Sequence, residues 1–170
     1  MKMPHGVGLL IVAATLSMSA QKKPVPVTAE KTQPCLDNPS QQCSQTKYLA
    51  ELHQIASART AAVVIKADRS ISCGDGSEGS CLGEDSNTAL AMAGAVTKSD
   101  VWRYLTKVDP AKADILLKFS VHNAERVYCV VYDADSNKVL WVEDRVLVAA
   151  DNDVARILAH FLNVWQSGQR

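Results

Sequence analysis

The sequence has no block of basic residues and no excess of charge of either sign. Its 18 Lys and Arg residues balance its 18 Asp and Glu residues, for a formal net charge of +0. A protein that holds nucleic acid through phosphate contacts needs a basic patch. The charge distribution therefore argues against a nucleic-acid partner.

Several catalytic and metal-binding motifs are also missing. The chain has no C-x-x-C redox pair, no H-E-x-x-H zinc motif and no G-x-S-x-G nucleophile turn. No pair of carboxylates is placed as an acid and base. We therefore predict a non-enzymatic protein with no catalytic residue, no metal ligand, no cofactor and no identifiable small-molecule partner.

One glycine-rich stretch, residues 74–79 (GDGSEG), matches the spacing G-x-G-x-x-G. The dinucleotide fingerprint requires its glycines directly after a strand and directly before a helix. Here the preceding strand is predicted to end near Ala67 and the next helix to begin near Thr88. Asp75 and Glu78 would also repel a phosphate. The context predicts a flexible loop and no bound cofactor.

A second partial match begins at Asp133. Asp133, Asp135 and Asn137 copy the first ligands of an EF-hand loop, and Asp144 falls at its twelfth position. The sixth position is Lys138, although the calcium loop needs glycine there. A hairpin turn rich in Asp and Asn explains the same residues through backbone hydrogen bonds. We predict a turn and no calcium.

Five cysteines follow the N-terminal region, and four of them form two segments with equal spacing: Cys35, Cys43, Cys73, Cys81 and Cys129. Their spacing is too wide for structural zinc, and no histidine lies near them. We predict disulfides from Cys35 to Cys43 and from Cys73 to Cys81, with cross-pairing of the two segments left open. Cys129 lies in an alternating strand and is predicted to be a buried, unreactive residue.

The only long apolar run is at the N-terminus. Lys2 precedes an apolar stretch over residues 6–16, and small residues follow up to Ala20. This arrangement is typical of a secretory signal peptide over residues 1–20. The run is shorter than the roughly twenty residues of a membrane-spanning helix, so an uncleaved anchor is the less favoured alternative. No cysteine follows the run as a lipid acceptor. We predict export to the periplasm or secretion, without stable membrane insertion.

The rest of the chain divides into a proline-rich arm, residues 21–44, and one α+β domain, residues 45–170. The domain has periodic or alternating apolar patterns in eight segments. They predict helices at 45–58, about 86–97 and about 151–165, and strands at 60–67, 101–108, 113–121, 126–132 and 138–148. The order α-β-α-β-β-β-β-α predicts a single mixed sheet of about five strands with helices packed on it.

The patterns also predict the orientation or role of individual side chains in these segments. In the second helix, Leu90, Ala93 and Val96 are predicted to face inward, and in the last helix Asp151 or Asn152 is predicted to be the cap. Trp102 and Tyr104 would share one face of a strand, as core or as contact residues. His53, His122 and His160 complete the set of candidates for catalysis outside the leader.

Those histidines offer little chemistry. His53 and His160 fall off the apolar stripes of their helices and are predicted to face solvent. A Cys129–His122 dyad would need both side chains on one face, whereas their odd spacing places them on opposite faces of a regular strand.

Residues 112–117 (KADILL), 130–133 (VVYD) and 138–141 (KVLW), followed by an amphipathic helix, resemble small α/β domains of bacterial envelope proteins. Many of those proteins are lipoproteins of unknown function, and the domains are broadly similar to the periplasmic domain of curli-secretion-channel proteins. The resemblance covers about residues 60–165. This chain differs in lacking a lipid-acceptor cysteine and in its cysteine-bracketed loop. The resemblance implies a fold and a location, and no activity.

These observations predict an exported envelope protein that acts as an interaction or structural accessory domain, with another envelope protein as its partner. The polar stretch over residues 68–85 is long for a loop and is the expected contact surface. Two alternatives stay open. One is a small hydrolase or metal-assisted enzyme that uses the acidic residues of this loop (Asp75, Glu78, Glu84 and Asp85) or Cys129. The other is a periplasmic ligand-binding module.

Overall fold

A mixed β-sheet with helices packed against one face forms the body of the protein. The computed structural model describes residues 32–72 and 80–170. The helices are α1 (Gln45–Ser57), α2 (Ser86–Thr97) and α3 (Ala150–Ser167), with 3-10 helices at Asp100–Arg103 and Pro110–Lys112. The strands are β1 (Thr32–Pro34), β2 (Gln42–Ser44), β3 (Thr60–Ser72), β4 (Ser80–Glu84), β5 (Thr106–Lys107), β6 (Ile115–His122), β7 (Arg126–Asp133) and β8 (Val139–Val146).

The main sheet has the strand order β4-β3-β6-β7-β8, with β5 paired to the beginning of β3. Strand β3 pairs in parallel with β5 and β6, and the other neighbours are antiparallel. The α+β class and the mixed sheet predicted from the sequence are confirmed. The predicted signal peptide (residues 1–20), residues 21–31 of the predicted arm and the glycine-rich stretch 74–79 lie outside the described residues.

The alternating residues of the central strands form the core, as predicted. On β6, Ile115, Leu117, Phe119 and Val121 are buried, and they face Val127, Cys129 and Val131 of β7. Helix α3 covers them with an apolar stripe that comprises Val154, Ile157, Leu158, Phe161 and Trp165. Because a stripe this wide must be buried, α3 lies across β7 and β8 and between α1 and α2.

The stretch 101–108 is not the strand that its apolar pattern predicts. The Ser99 hydroxyl accepts a hydrogen bond from the Val101 amide and starts the 3-10 helix Asp100–Arg103. Only Thr106–Lys107 pairs with β3. Trp102 is half-buried and Tyr104 is exposed, so they do not share the face of a strand. Local capping at Ser99 outweighs the β propensity of this short segment.

Residues 68–72 and 80–84 form strands where the sequence predicts a loop. Strand β3 continues to Ser72, and β4 pairs with it from Asp68↔Glu84 to Ser72↔Ser80. The pairing of β3 with β6 ends at Asp68↔His122, so this antiparallel ribbon runs beyond the body of the sheet. Because β6 does not flank this part of β3, the segment carries no alternating apolar pattern from which a strand could be recognised.

Two details of the helices differ from prediction. Leu90 of α2 is 73% exposed, and Met92 is buried together with Val96. Helix α3 begins one residue before Asp151, and its entry is held by Asp153, whose carboxylate accepts hydrogen bonds from the amides of Val148 and Ala149. Helix α2 has the predicted N-terminus, with Asp85 accepting from the Thr88 amide.

Candidate functional site: the open face of the sheet

The helices cover one face of the sheet, and no element of the described ranges 32–72 and 80–170 covers the other. We call this second face of β3, β6, β7 and β8 the open face. The strand register arranges its residues in rows across the strands. The two central rows are Val64, Lys118, Val130, Val142 and Lys66, Ser120, Tyr128, Asp144.

The open face combines aliphatic and aromatic side chains with cations. Val64 and Tyr128 are 41% and 39% exposed. The Lys118 ammonium lies 4.4 Å from the centroid of the Tyr132 ring, within the range of a cation–π interaction. Tyrosine rings, which have a hydroxyl at one end, and cations that pack against such rings are common in surfaces that bind other proteins.

The charges at one end of the open face are paired. Lys66 and Asp68 are 2.9 Å apart, and the Arg126 guanidinium contacts the Asp144 carboxylate. Surface pairs of this kind add little stability. They neutralise much of the charge at that end, beside the row of Val64, Lys118, Val130 and Val142.

The β3–β4 ribbon continues from the edge of this face. Its strands pair with each other over residues 68–72 and 80–84, and residues 73–79 lie outside the described residues. The predicted Cys73–Cys81 disulfide therefore lies outside the described residues as well. Within the described residues β4 is the outermost strand of the sheet, so the ribbon adds a strand edge to the exposed side chains of the open face.

At the opposite edge of the sheet, a disulfide loop is attached to β8. Cys35 and Cys43 are joined, with a Cα–Cα distance of 5.1 Å. The amide of Val142 donates to the carbonyl of Leu36, and the Leu36 amide donates to the buried carboxylate of Glu51. The loop thus covers part of the β8 edge. With both sulfurs in the disulfide, the nearby Asp37 has no thiolate to share a metal with.

Cys129 is unsuited to nucleophilic chemistry. Its side chain is completely buried among the helix-facing residues. Burial, with a smaller contribution from Glu143, raises the pKa of the Cys129 thiol well above its usual value. His122 is exposed on the opposite face of the sheet, so the two do not form a dyad. This agrees with the strand spacing.

The other two histidines of the described residues lie on the helical side. His53 and His160 are both exposed, as predicted. His160 Nδ1 contacts the carboxylate of Glu143, which also pairs with Arg145 at 2.8 Å. The three side chains form a polar contact between α3 and β8 at the rim of the core.

The Asp133 segment forms a hairpin turn, as predicted. Asp133 Oδ1 accepts hydrogen bonds from the amide and hydroxyl of Ser136, at 2.8 and 2.7 Å. These bonds lower the pKa of the Asp133 carboxyl. Asn137 takes a φ of 54°, which asparagine tolerates better than most residues. Asp144, on β8, is paired with Arg126 of β7, so its carboxylate lies on the open face and takes no part in the turn.

Comparison with protein-family models, with curated proteins and with solved structures found no match. In the described parts of the chain, no helix has the length and apolar character needed to cross a bilayer. The sequence did not predict the open face as a site, because the predicted strands were recognised by their buried residues. The positions between those buried residues, which hold Lys118, Tyr128 and Tyr132 on β6 and β7, could have indicated it.

Proposed function

We propose that this protein is exported to the bacterial periplasm or secreted, and that it acts without catalysis by binding another envelope protein. Three features support export: the leader-like residues 1–20, the Cys35–Cys43 disulfide and the resemblance to envelope domains. Disulfides persist in oxidising compartments and are rare in the cytosol.

The open face is the proposed binding surface, and its lack of cover within the described residues is the observation that carries the proposal. A sheet packed on one side normally has polar residues on its other side. Here that side carries, between its charged residues, three valines of one row (Val64, Val130 and Val142) and two tyrosines. Exposed aromatic side chains among aliphatic residues and cations are typical of protein-binding sites. The β3–β4 ribbon would extend the contact.

Export is tested by following the chain in a bacterial host. We expect the full-length protein in the periplasm or medium, trimmed near Ala20, with Cys35 and Cys43 oxidised by mass spectrometry. A variant that lacks residues 2–20 should stay in the cytosol with both thiols reduced. Free thiols at these two positions in the exported protein would refute this part of the proposal, and retention of the leader would support a membrane anchor.

Binding is tested by placing a photo-crosslinking amino acid at Tyr128 and, as a control, at Leu49, which is 52% exposed on α1. In native envelopes we expect one discrete adduct from position 128 and none from position 49. The substitutions Val64→Lys and Tyr128→Thr should abolish binding to the partner so identified, whereas Leu49→Gln should not. Equal binding by all three folded variants would refute the assignment of the surface.

A further inference from the structure

Helix α2 has too little polar surface for a helix exposed to water. Residues 89–96 contain no polar side chain, yet within this run only Met92 and Val96 are buried, and Leu90 is 73% exposed. A helix that is apolar around its circumference is normally covered on several sides. The outer side of α2 therefore lacks a partner in the described structure.

A groove of about 640 Å³ lies between α2 and α3. Each helix contributes one stripe to it, with Ala91, Gly94, Ala95 and Lys98 on α2 and Ala155, Leu158, Ala159 and Leu162 on α3. Asp151 and Asn163 also line it, and at 1.5 Å per residue they are about 18 Å apart along the helix axis. The groove is long enough for about three turns of another helix.

Gly94 leaves a hollow in the groove in the last third of α2. A Cβ atom at this position would meet nothing within 4 Å, so there is room beside it for a side chain from outside. Leu90 lies one helical turn before Gly94 and points away from the core. The same helix therefore presents an exposed projection and, one turn later, a hollow.

The two helices of the groove run in the same direction. Both begin at the end of the sheet where β3 leaves β6: the Asp85 amide bonds to Ala67, and α3 follows β8, whose Val146 pairs with Arg126. Toward the other end, Trp165 of α3 donates to the Ala58 carbonyl. Asp151 therefore lies at one end of the groove and Lys98 at the other.

We propose that two copies of this chain form a dimer by packing α2 against α2 in antiparallel orientation. A two-fold axis between Leu90 and Gly94 places the Leu90 side chain of each copy in the hollow beside Gly94 of the other. The same symmetry brings Lys98 of each copy to the end of the groove where Asp151 of the other copy lies. Such an interface is self-complementary in shape and in charge, as a two-fold contact must be.

The charges at the groove ends are available for this contact. Across the described residues, Lys98 has no acidic partner, and Asp151 accepts a hydrogen bond only from the adjacent Asn152 amide. An antiparallel pair satisfies both ends at once, whereas a parallel pair would bring like charges together. The dimer uses the helical side of the molecule and leaves the open face free. A chain that does not dimerise would therefore leave the proposed function unaffected.

The mass of the full mature chain in solution tests the proposal. Sedimentation equilibrium from about 1 μM to about 1 mM, a range that covers weak specific association, should show a monomer–dimer equilibrium. Leu90→Glu removes the projection, and Gly94→Leu fills the hollow while favouring the helix. Each should raise the dimer Kd at least about tenfold. Leu49→Glu, a charge at an exposed leucine of α1, is the matched control and should leave the Kd unchanged.

Charge reversal tests the orientation. Lys98→Asp and Asp151→Lys should each weaken the dimer, and the variant that carries both substitutions should recover it, because the pair is restored across the axis. A chain that is monomeric at every concentration, or a dimer that survives both Leu90→Glu and Gly94→Leu, overturns the proposal. The proposal is also overturned if the chain stays monomeric and its groove binds a helix of another protein, which would then be the occupant.

Discussion

At the scale of single residues, Asp153 links the end of β8 to the beginning of α3. Its buried carboxylate accepts hydrogen bonds from the Val148 and Ala149 amides at 2.8 and 2.9 Å. These bonds, chiefly the first, hold the pKa of the Asp153 carboxyl below its usual value. An acid four residues inside a helix is not an ordinary N-cap, so the sequence pattern favoured Asp151 or Asn152 instead.

We predict that Asp153→Asn lowers the free energy of unfolding by about 1–2 kcal/mol at neutral pH, because a charged acceptor of two amide bonds is replaced by a neutral one. The folded pKa is depressed, so this stabilisation is present above the unfolded pKa of about 3.9 and is lost as the pH falls through the folded pKa. Urea unfolding at neutral and acidic pH measures it.

The control for Asp153 is Asp109→Asn, since Asp109 is exposed and makes no side-chain capping bond. Its effect should be small at every pH. A difference between wild type and Asp153→Asn that stays constant down to strongly acidic pH would contradict the role given to the carboxylate.

Cys129 carries a second prediction at this scale. A thiol reagent added to the folded protein should leave Cys129 unlabelled until the chain unfolds, since burial both blocks access and raises the pKa of the thiol. Peptide mapping after labelling, with and without denaturant, gives the answer, and Cys129→Ala identifies the peptide. Rapid labelling under native conditions would reopen the possibility of a reactive cysteine.

At the scale of elements, the disulfide loop shows how a proline-rich stretch becomes part of the domain. Residues 32–44 have few apolar side chains, yet β1 and β2 form a small hairpin, and Cys35, Leu36 and Cys43 are buried. The cross-link reduces the conformational entropy of the unfolded chain. Hydrogen bonds to Glu51 and to the edge of β8 hold the loop in place. The spacing of the cysteines predicts the cross-link, whereas the contacts with Glu51 and β8 have no signal in the local sequence.

We predict that replacing both Cys35 and Cys43 by alanine lowers the free energy of unfolding by about 2–3 kcal/mol, the value expected for closing so short a loop. Chemical denaturation of the oxidised protein and of the variant measures the difference. In a Cys73→Ala, Cys81→Ala background, adding a dithiol reductant should cause the same loss. No change on reduction there would show that the loop is held by its packing alone.

At the scale of the whole molecule, several carboxylates stabilise chain junctions through hydrogen bonds. Asp85 caps α2, Asp114 accepts from the amides of Arg59 and Thr60, Asp133 closes its turn and Asp153 holds the start of α3. In each case hydrogen bonds from backbone or side-chain donors lower the pKa of the carboxyl. The junctions of the protein are therefore sensitive to acid.

We predict that stability falls steeply as the pH drops below about 4, where the unfolded chain binds protons that the folded carboxylates resist. The midpoint of urea unfolding should decrease from neutral to acidic pH, and the slope should correspond to net uptake of protons on unfolding. A midpoint that does not change over this range would contradict the hydrogen bonding of these groups in solution.

The sequence by itself determined the class of fold. The alternating apolar residues of β6 and β7 and the apolar stripe of α3 show which side chains are buried, and their spacing distinguishes strands from helices. The sequence also determined that Cys129 is buried and that residues 133–137 turn, since both depend on local patterns. Only the tertiary structure decided the extension of β3 to Ser72, the attachment of the Cys35–Cys43 loop to β8 and the exposure of Leu90. Each depends on which neighbour a segment meets, and contacts between distant parts of the chain have no local signature.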